Sequence, residues 1–137
     1  MGYIGAGISG GEQGAQSGAS IMVGGTKECF KAVRESLEAI AAADDKKIYC
    51  KHFGSGGVGH FIKMVHNGIE YGMMASIAEG FQALSKSKLN LDLQKISSVL
   101  KNGSIIESNL LNWLDCSLKD KKYFNKISGA VPKGETE

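Results

Sequence analysis

The stretch GVGHFIKMVHNGIEY, residues 57–71, decides how this sequence folds. It predicts the start of one long helix from Gly57 to about Leu84, and the glycines inside it at 68, 72 and 80 suggest close packing there. At 100° per residue, five polar or amphipathic side chains fall within about 140° of one another. These side chains are Lys63, His66, Asn67, Glu70 and Tyr71. Almost opposite are Val58, Ile62, Val65 and Ile69. The helix is therefore expected to have one apolar face for a core and one polar face.

The composition of the polar face leaves two interpretations open. Solvated helix faces usually repeat Lys and Glu, whereas this face has five different residue types. The Cα atoms of Lys63 and Glu70 are about 10.5 Å apart along a helix, so their side chains can reach opposite ends of one small substrate. Lysine and glutamate serve as general bases and acids in enzymes. The face therefore predicts either a proton-transfer site or an ordinary solvated surface.

The segments before this helix have the order strand, helix, strand. The apolar run at 20–23, closed by two glycines, predicts a buried strand. Thr26 is a predicted cap for a helix with apolar residues at three- and four-residue spacing. Residues 48–50 predict another strand, and residues 5–18 a glycine-rich loop that follows a strand ending at Ile4. This order is typical of an α/β layer.

Two more helices are expected after the long one. Asn90 is a predicted cap for a helix that ends near Lys101. Ser104 and Glu107 form the S-x-x-E pattern of a capping box and predict a helix that follows. That helix would carry Leu110, Leu111, Leu114 and Leu118. Residues 128–137 are expected to be loop, so the fold class is α/β followed by all-α.

Composition excludes several classes of protein. The chain has 137 residues and a formal net charge of +2, without the basic stripe of a nucleic-acid binder. It has no membrane-spanning run and no secretory signal, so we expect a cytoplasmic protein without a membrane partner. Cys29, Cys50 and Cys116 form no C-x-x-C pair and predict buried free thiols, not a metal site or disulfides. The 19 glycines suggest turns that approach a ligand.

Residues 5–10, GAGISG, match the G-x-G-x-x-G pattern of a dinucleotide-binding turn. In that fold a helix follows, and an acidic residue about twenty positions later binds the ribose. Here the next residues are interrupted by glycines, and the second apolar run ends in Gly24-Gly25 without an acid. A flavin- or NAD-binding Rossmann protein remains the alternative if this segment is a nucleotide loop.

Several motifs together resemble the β-hydroxyacid dehydrogenases, and among them the 6-phosphogluconate dehydrogenases. Gly57, Gly59, Lys63 and Asn67 match the G-x-G-x-x-x-K-x-x-x-N pattern of that family. The string ISGGEQGA at 8–15 resembles the family's substrate loop, and GGTKE at 24–28 agrees as well. The similarity extends over about residues 2–120.

This resemblance implies a division of the chain into two parts. Residues 1–54 would be the C-terminal part of a Rossmann-type nucleotide-binding domain with its substrate loop. Residues 55–137 would be the long catalytic helix and the first helices of a helical domain. The implied activity is oxidative decarboxylation of 6-phosphogluconate to ribulose 5-phosphate with NADP, in the pentose phosphate pathway, by a homodimer without nucleic-acid partners.

The resemblance also implies roles for individual residues. Lys63 would take the proton of the C3 hydroxyl and return it to the keto oxygen as CO2 departs, and Glu70 would protonate C1 of the enediol. Lys133 lies in PKGET at 132–136, which resembles the family's phosphate-contacting loop. The substrate-binding residues would be Ser9, Gly10, Gly11, His66, Asn67, Tyr71 and Lys133.

The family has a nucleotide-binding half before the matching segment and a large helical domain after it. We therefore expect this chain alone to bind NADP poorly, to be inactive or weakly active, and to self-associate. A non-catalytic interaction fragment is the alternative function.

Overall fold

The computed structural model describes residues 1–124, 126 and 127 and forms two compact units, Met1–Gly72 and Met73–Glu137. The first unit contains the sheet, and the second unit is helical. The predicted fold class, α/β followed by helices, is confirmed. The predicted domain boundary near residue 54 stays a prediction, and the loop predicted at 128–137 lies outside the described residues.

The first unit contains a three-stranded sheet in the order β1-β2-β5. Strand β1 (Ile4–Ser9) pairs antiparallel with β2 (Ser20–Gly25), and β2 pairs parallel with β5 (Cys50–Gly54). A hairpin of β3 (Ala43–Asp44) and β4 (Lys47–Ile48) precedes β5. The predicted strand at 20–23 is confirmed, whereas the one predicted at 48–50 is divided between β4 and β5.

Residues 5–18 do not form the predicted loop. Residues 5–9 belong to β1, and a short helix, α1 (Gly11–Ser17), follows after Gly10. Glycine is a weak strand former, but here every residue of β1 has a partner on β2. Gly11 adopts a φ of 57°, a left-handed conformation that glycine takes readily. Glycine at this position therefore allows the sharp turn between the strand and the helix.

The core of the first unit lies between the sheet and α2 (Lys27–Ala39). Ile21, Val23 and Cys50 are fully buried, and Phe30 and Leu37 of α2 pack against them. The predicted cap of α2 is confirmed, because the Thr26 hydroxyl accepts a hydrogen bond from the Cys29 amide at 3.2 Å. All three cysteines are free as expected, but only Cys50 is buried and Cys116 is exposed.

Helix α3 (Val58–Lys86) confirms the predicted long helix. Its first turn lies directly on the backbone of β1 and β2. A Cβ atom at Gly59 would clash with the carbonyl oxygens of Met22 and Gly5, and one at Gly7 would be 2.5 Å from the Lys63 Cβ atom. Glycines on both the helix and the strand therefore allow this contact.

The apolar face of α3 is only partly the core face that the sequence predicts. Val58 and Ile62 are half-buried, but Val65 and Ile69 are 48% and 61% exposed. Lys63 and His66 on the polar face are also half-buried. The glycines of β1 admit the polar face, and Val65 and Ile69 are left outward. Close packing was also expected around Gly68, Gly72 and Gly80, but a Cβ there would meet no atom within 4 Å in the described part of the chain.

The second unit contains α4 (Leu93–Leu100), α5 (Asn109–Lys119) and α6 (Lys121–Phe124). The predicted cap at Asn90 is wrong, because the Asp92 carboxylate accepts hydrogen bonds from the amides of Gln94 and Lys95, both at 3.1 Å. Since Asp92 stands next to the first turn, it satisfies two amides that a residue at position 90 does not reach.

The predicted capping box is also wrong. Ser108 caps α5 by accepting a hydrogen bond from the Leu111 amide at 3.4 Å. The Ser104 hydroxyl instead donates to the Leu100 carbonyl, and Glu107 accepts from the Gly103 amide at 2.6 Å. Both side chains therefore stabilise the turn after α4, and the helix begins one residue after Ser108.

A buried carboxylate joins α4 to α5. Asp115 is fully buried and accepts hydrogen bonds from the Ser97 hydroxyl at 2.9 Å and from the Lys101 ammonium at 2.8 Å. The Lys119 ammonium is also 2.8 Å away. The hydrogen bonds from Lys101 and Lys119 hold the pKa of Asp115 well below its ordinary range, although burial opposes them.

Among residues 1–124, 126 and 127, no helix combines the length and the hydrophobicity that a membrane span needs. Likewise, no three or more of the His, Cys, Asp and Glu side chains of these residues are arranged to hold a metal ion.

The contact at Gly59 can be tested by adding one methyl group. Gly59→Ala is expected to lower the free energy of unfolding by about 1–3 kcal/mol, because the new Cβ meets fixed backbone atoms. Gly68→Ala is the matched control, since its Cβ lies in open space and alanine favours helix by up to about 1 kcal/mol. Urea unfolding of both variants measures the difference. Equal stability of the two variants would contradict the close contact.

The Asp115 cluster predicts a pH dependence of stability. Because the folded-state pKa is lowered, the carboxylate stabilises the fold above the ordinary Asp range of about pH 4. This contribution decreases as the pH falls below that range. Asp115→Asn should lower the urea midpoint at pH 7 and reduce the loss of stability on acidification. Asp45→Asn, at an exposed site, is the control. A midpoint equal to that of the control would show that the cluster contributes nothing.

Candidate active site

The polar face of α3 lies along β1, and successive turns of the helix contact alternate residues of the strand. Gly59 lies against Gly5, Lys63 against Gly7, and His66 against Ser9. These helical residues are four and three positions apart, an advance of about 6 Å and about 4.5 Å, compared with the roughly 6.6 Å covered by two strand residues. Since alternate strand residues share a face, Gly5, Gly7 and Ser9 all point toward the helix. The pattern G-x-G-x-S of β1 therefore matches one turn of α3 at each step.

His66 is the centre of the polar cluster on this face. Its Nε2 atom is 2.9 Å from the Ser9 hydroxyl. Its Nδ1 atom is 3.3 Å from the Lys63 Nζ atom and 3.2 Å from the Asn67 Oδ1 atom. The Glu70 Oε2 atom is 3.6 Å from the same Nδ1 atom. One imidazole ring therefore contacts the hydroxyl, the amine, the amide and the carboxylate.

The structure brings most of the predicted site residues to one place. Ser9, Lys63, His66, Asn67 and Glu70 are connected by the contacts above. Gly10 and Gly11 directly follow Ser9 at the start of α1.

Two of the predicted site residues are not part of this cluster. Tyr71 is 62% exposed, and no contact joins it to the cluster within residues 1–124. Lys133 lies outside the described residues. The functional roles of all these residues stay predictions.

Sequence reasoning missed how the cluster is assembled. Gly5 and Gly7 belong to the predicted glycine-rich loop at 5–18, but they form the surface on which α3 lies. The contact between Ser9 and His66, 57 positions apart, was not foreseen either. Gly5, Gly7 and Ser9 are spaced two residues apart, which is the period of a strand. This spacing could have predicted that the three residues share one face.

The structure shows that GAGISG at 5–10 is not a phosphate-binding turn. Such a turn places its glycines between a strand and a helix in a parallel βαβ unit. Gly5 and Gly7 instead lie inside β1, which pairs antiparallel with β2. The Lys63 side chain and the Gly59 backbone cover Gly7. The backbone of Gly5 and Gly7 is therefore not available to a pyrophosphate.

The cluster contains the groups that acid–base chemistry needs. Lys63 supplies an amine and Glu70 a carboxyl group, both beside the Nδ1 atom of the half-buried His66 ring. Ser9 and Asn67 add neutral hydrogen-bonding groups beside them. A proton can therefore be taken at one end of the cluster and given at the other.

Two family models match the chain in succession. The model for the NAD binding domain of 6-phosphogluconate dehydrogenase matches residues 1–54. The model for the 6-phosphogluconate dehydrogenase C-terminal domain matches residues 59–89. The chain carries sequence of the 6-phosphogluconate dehydrogenase family.

Curated 6-phosphogluconate dehydrogenases are similar along most of the chain. The putative 6-phosphogluconate dehydrogenase YqeC of Bacillus subtilis is 42% identical over 129 residues, which cover 94% of this chain and 42% of that protein. The decarboxylating enzyme of Ceratitis capitata is 41% identical over 120 residues, which cover 82% of this chain and 25% of that protein. The NAD(+)-dependent, decarboxylating enzyme of Haloferax volcanii is 36% identical over 119 residues, which cover 87% of this chain and 39% of that protein. The chain therefore spans less than half the length of each relative.

A solved 6-phosphogluconate dehydrogenase has the same fold. The Plasmodium falciparum enzyme, studied in its apo form, with NADP+ and with 6-phosphogluconate, matches with a TM-score of 0.82 and 38% sequence identity. The match covers 96% of this chain and 30% of that one. It confirms the predicted architecture, the end of a Rossmann-type domain followed by the start of a helical domain.

Proposed function

We propose that this chain carries the acid–base site of an enzyme that converts 6-phosphogluconate to ribulose 5-phosphate by oxidative decarboxylation. The observation that carries the proposal is the cluster of Lys63, His66 and Glu70 held against Ser9. Relatives named decarboxylating 6-phosphogluconate dehydrogenase match the segment that contains this cluster. The reaction needs a base at the carbon that is oxidised and an acid at the carbon that loses CO2.

Lys63 is the proposed base. Its amine takes the proton of the C3 hydroxyl while that carbon is oxidised. When CO2 departs, the ammonium returns the proton to the new keto oxygen, which prevents a negative charge from accumulating there. The Cβ atom of Lys63 packs against Gly7, which fixes the start of the Lys63 side chain. The amine at its other end lies beside His66.

Glu70 is the proposed acid. It lies one turn of α3 beyond His66, so its carboxyl group reaches a different part of the substrate from Lys63. In its protonated form it gives a proton to C1 of the enediol. Ser9, Gly10, Gly11, His66, Asn67 and Tyr71 are the proposed substrate-binding residues, and Lys133 is proposed for the phosphate.

A nicotinamide cofactor would accept the hydride from C3. We propose NADP, the cofactor named for the Plasmodium falciparum enzyme, while the relative in Haloferax volcanii is named as NAD(+)-dependent. Gly5 and Gly7 are covered by α3 and do not fit a pyrophosphate, and none of the described residues is assigned to hold one. NADPH formation by this chain alone is therefore expected to be slight, and normal turnover would contradict that expectation. The three free thiols are consistent with the cytoplasmic location that we propose.

Binding of 6-phosphogluconate tests the proposed function. Titration of the 15N-labelled chain should shift the amide signals of residues 9–11 and 63–71 and leave those of α2 unchanged. Lys63→Met should weaken binding about tenfold, or about 1.4 kcal/mol, because the hydrogen bond between the Lys63 amine and the C3 hydroxyl is lost. Lys31→Met, on the exposed surface of α2, is the matched control. Absence of shifts, or equal affinity of the two variants, would contradict the proposed site.

We also propose that the protein is a homodimer that uses the outward face of α3. Phe61, Met64, Val65 and Ile69 on this face are 48–64% exposed, and apolar patches of this kind mark association sites. Sedimentation velocity at several concentrations should show self-association. Ile69→Glu should weaken it, whereas Ile105→Glu, at an exposed isoleucine outside α3, should not.

A clean monomer at high concentration would contradict the dimer. Association without binding of 6-phosphogluconate would favour the alternative function, a non-catalytic interaction fragment.

A further inference from the structure

The Nδ1 atom of His66 lies between the proposed base and the proposed acid. It is 3.3 Å from the Lys63 Nζ atom and 3.6 Å from the Glu70 Oε2 atom. Within the residues that the structure describes, no ion pair joins Lys63 directly to Glu70. Any proton that passes between them inside the cluster therefore has its shortest path through this nitrogen.

The proposed reaction leaves both groups in the wrong protonation state for the next turnover. Lys63 takes the C3 hydroxyl proton and gives it back when CO2 departs. It then takes the enediol hydroxyl proton while Glu70 gives a proton to C1. Each turnover thus ends with a Lys63 ammonium and a Glu70 carboxylate. One proton must return from Lys63 to Glu70.

We propose that His66 returns this proton through its Nδ1 atom, an inference that rests on the proposed function for the roles of Lys63 and Glu70. First, an N–H bond of the Lys63 ammonium breaks and an N–H bond forms at Nδ1, which leaves a neutral amine and an imidazolium. Next, the Nδ1–H bond breaks and an O–H bond forms on the Glu70 carboxylate. The ring is neutral again, and the step needs no other reactant.

The contacts at both ring nitrogens suit the form that this relay needs. A Lys63 ammonium can only donate, so it favours a lone pair on Nδ1. The ring proton is then on Nε2, and the Ser9 hydroxyl oxygen, 2.9 Å away, is placed to accept a hydrogen bond from it. Asn67 Oδ1, 3.2 Å from Nδ1, stabilises the imidazolium as an acceptor.

The other two histidines do not lie in this path. His52 donates from Nε2 to the Gly25 carbonyl at 2.8 Å and stacks on Phe30. The His60 ring lies over Gly5. His66 is thus the histidine that joins the two charged groups of the cluster.

Nitrogen NMR of the histidine rings tests the relay without substrate. In the 15N-histidine-labelled chain at about pH 8, where an ordinary histidine is neutral, His66 should be the Nε2–H tautomer. Lys63→Met removes the donor at Nδ1 and leaves two acceptors, so the ring should change to the Nδ1–H tautomer. Lys63→Arg keeps a cationic donor and should preserve the Nε2–H form. The signals of His52 and His60 should stay in place and report that each variant is folded.

Two results would overturn the relay. One is an Nδ1–H tautomer in the unchanged chain, since that nitrogen then has no lone pair for the Lys63 proton. The other is a tautomer that does not respond to Lys63→Met, which is what a ring with only a structural or substrate-binding role would show. The relay is measured without ligand, so its failure is distinct from a failure to bind 6-phosphogluconate.

Discussion

The close approach of the α3 backbone to the backbones of β1 and β2 is the contact on which the first unit depends. A side chain at Gly59 would clash with two carbonyl oxygens, and a side chain at Gly7 would meet both Lys63 and Gly59. Close-packed interiors do not absorb such overlaps cheaply. Glycine is therefore required on both surfaces at this contact, and much of the glycine excess before residue 60 follows from it. The helix position is set by backbone atoms, which do not change rotamer.

This contact determines the register of the candidate site. Because Gly59 is fixed over Gly5, the next turns of α3 bring Lys63 to Gly7 and His66 to Ser9. Ser9 is the first residue of β1 on this face with a functional side chain, and His66 reaches it. Glu70 then lies one turn further, beyond the end of the strand. A helix shifted by one residue would rotate the polar face by about 100° away from the strand.

The sequence predicted the elements better than their contacts. The strand at Ser20, the Thr26 cap and the long helix follow from local patterns and are confirmed. The loop at 5–18 was wrong because strand pairing with β2 overrides the weak strand propensity of glycine. The set of polar residues followed from helical periodicity. The link between Ser9 and His66 did not, because it depends on tertiary packing over 57 positions.

The orientation of α3 relates the proposed chemistry to the proposed association. A helix in a small domain usually turns its apolar face to the core, but here the polar face lies against glycines that offer backbone and little apolar surface. Half-buried amine, imidazole and carboxyl groups remain satisfied because they contact one another and Ser9. Phe61, Val65 and Ile69 are left outward by the same rotation of the helix. A sheet with larger side chains at Gly5 and Gly7 would exclude this orientation, so the glycines determine both which groups meet at the site and which surface is available to a partner.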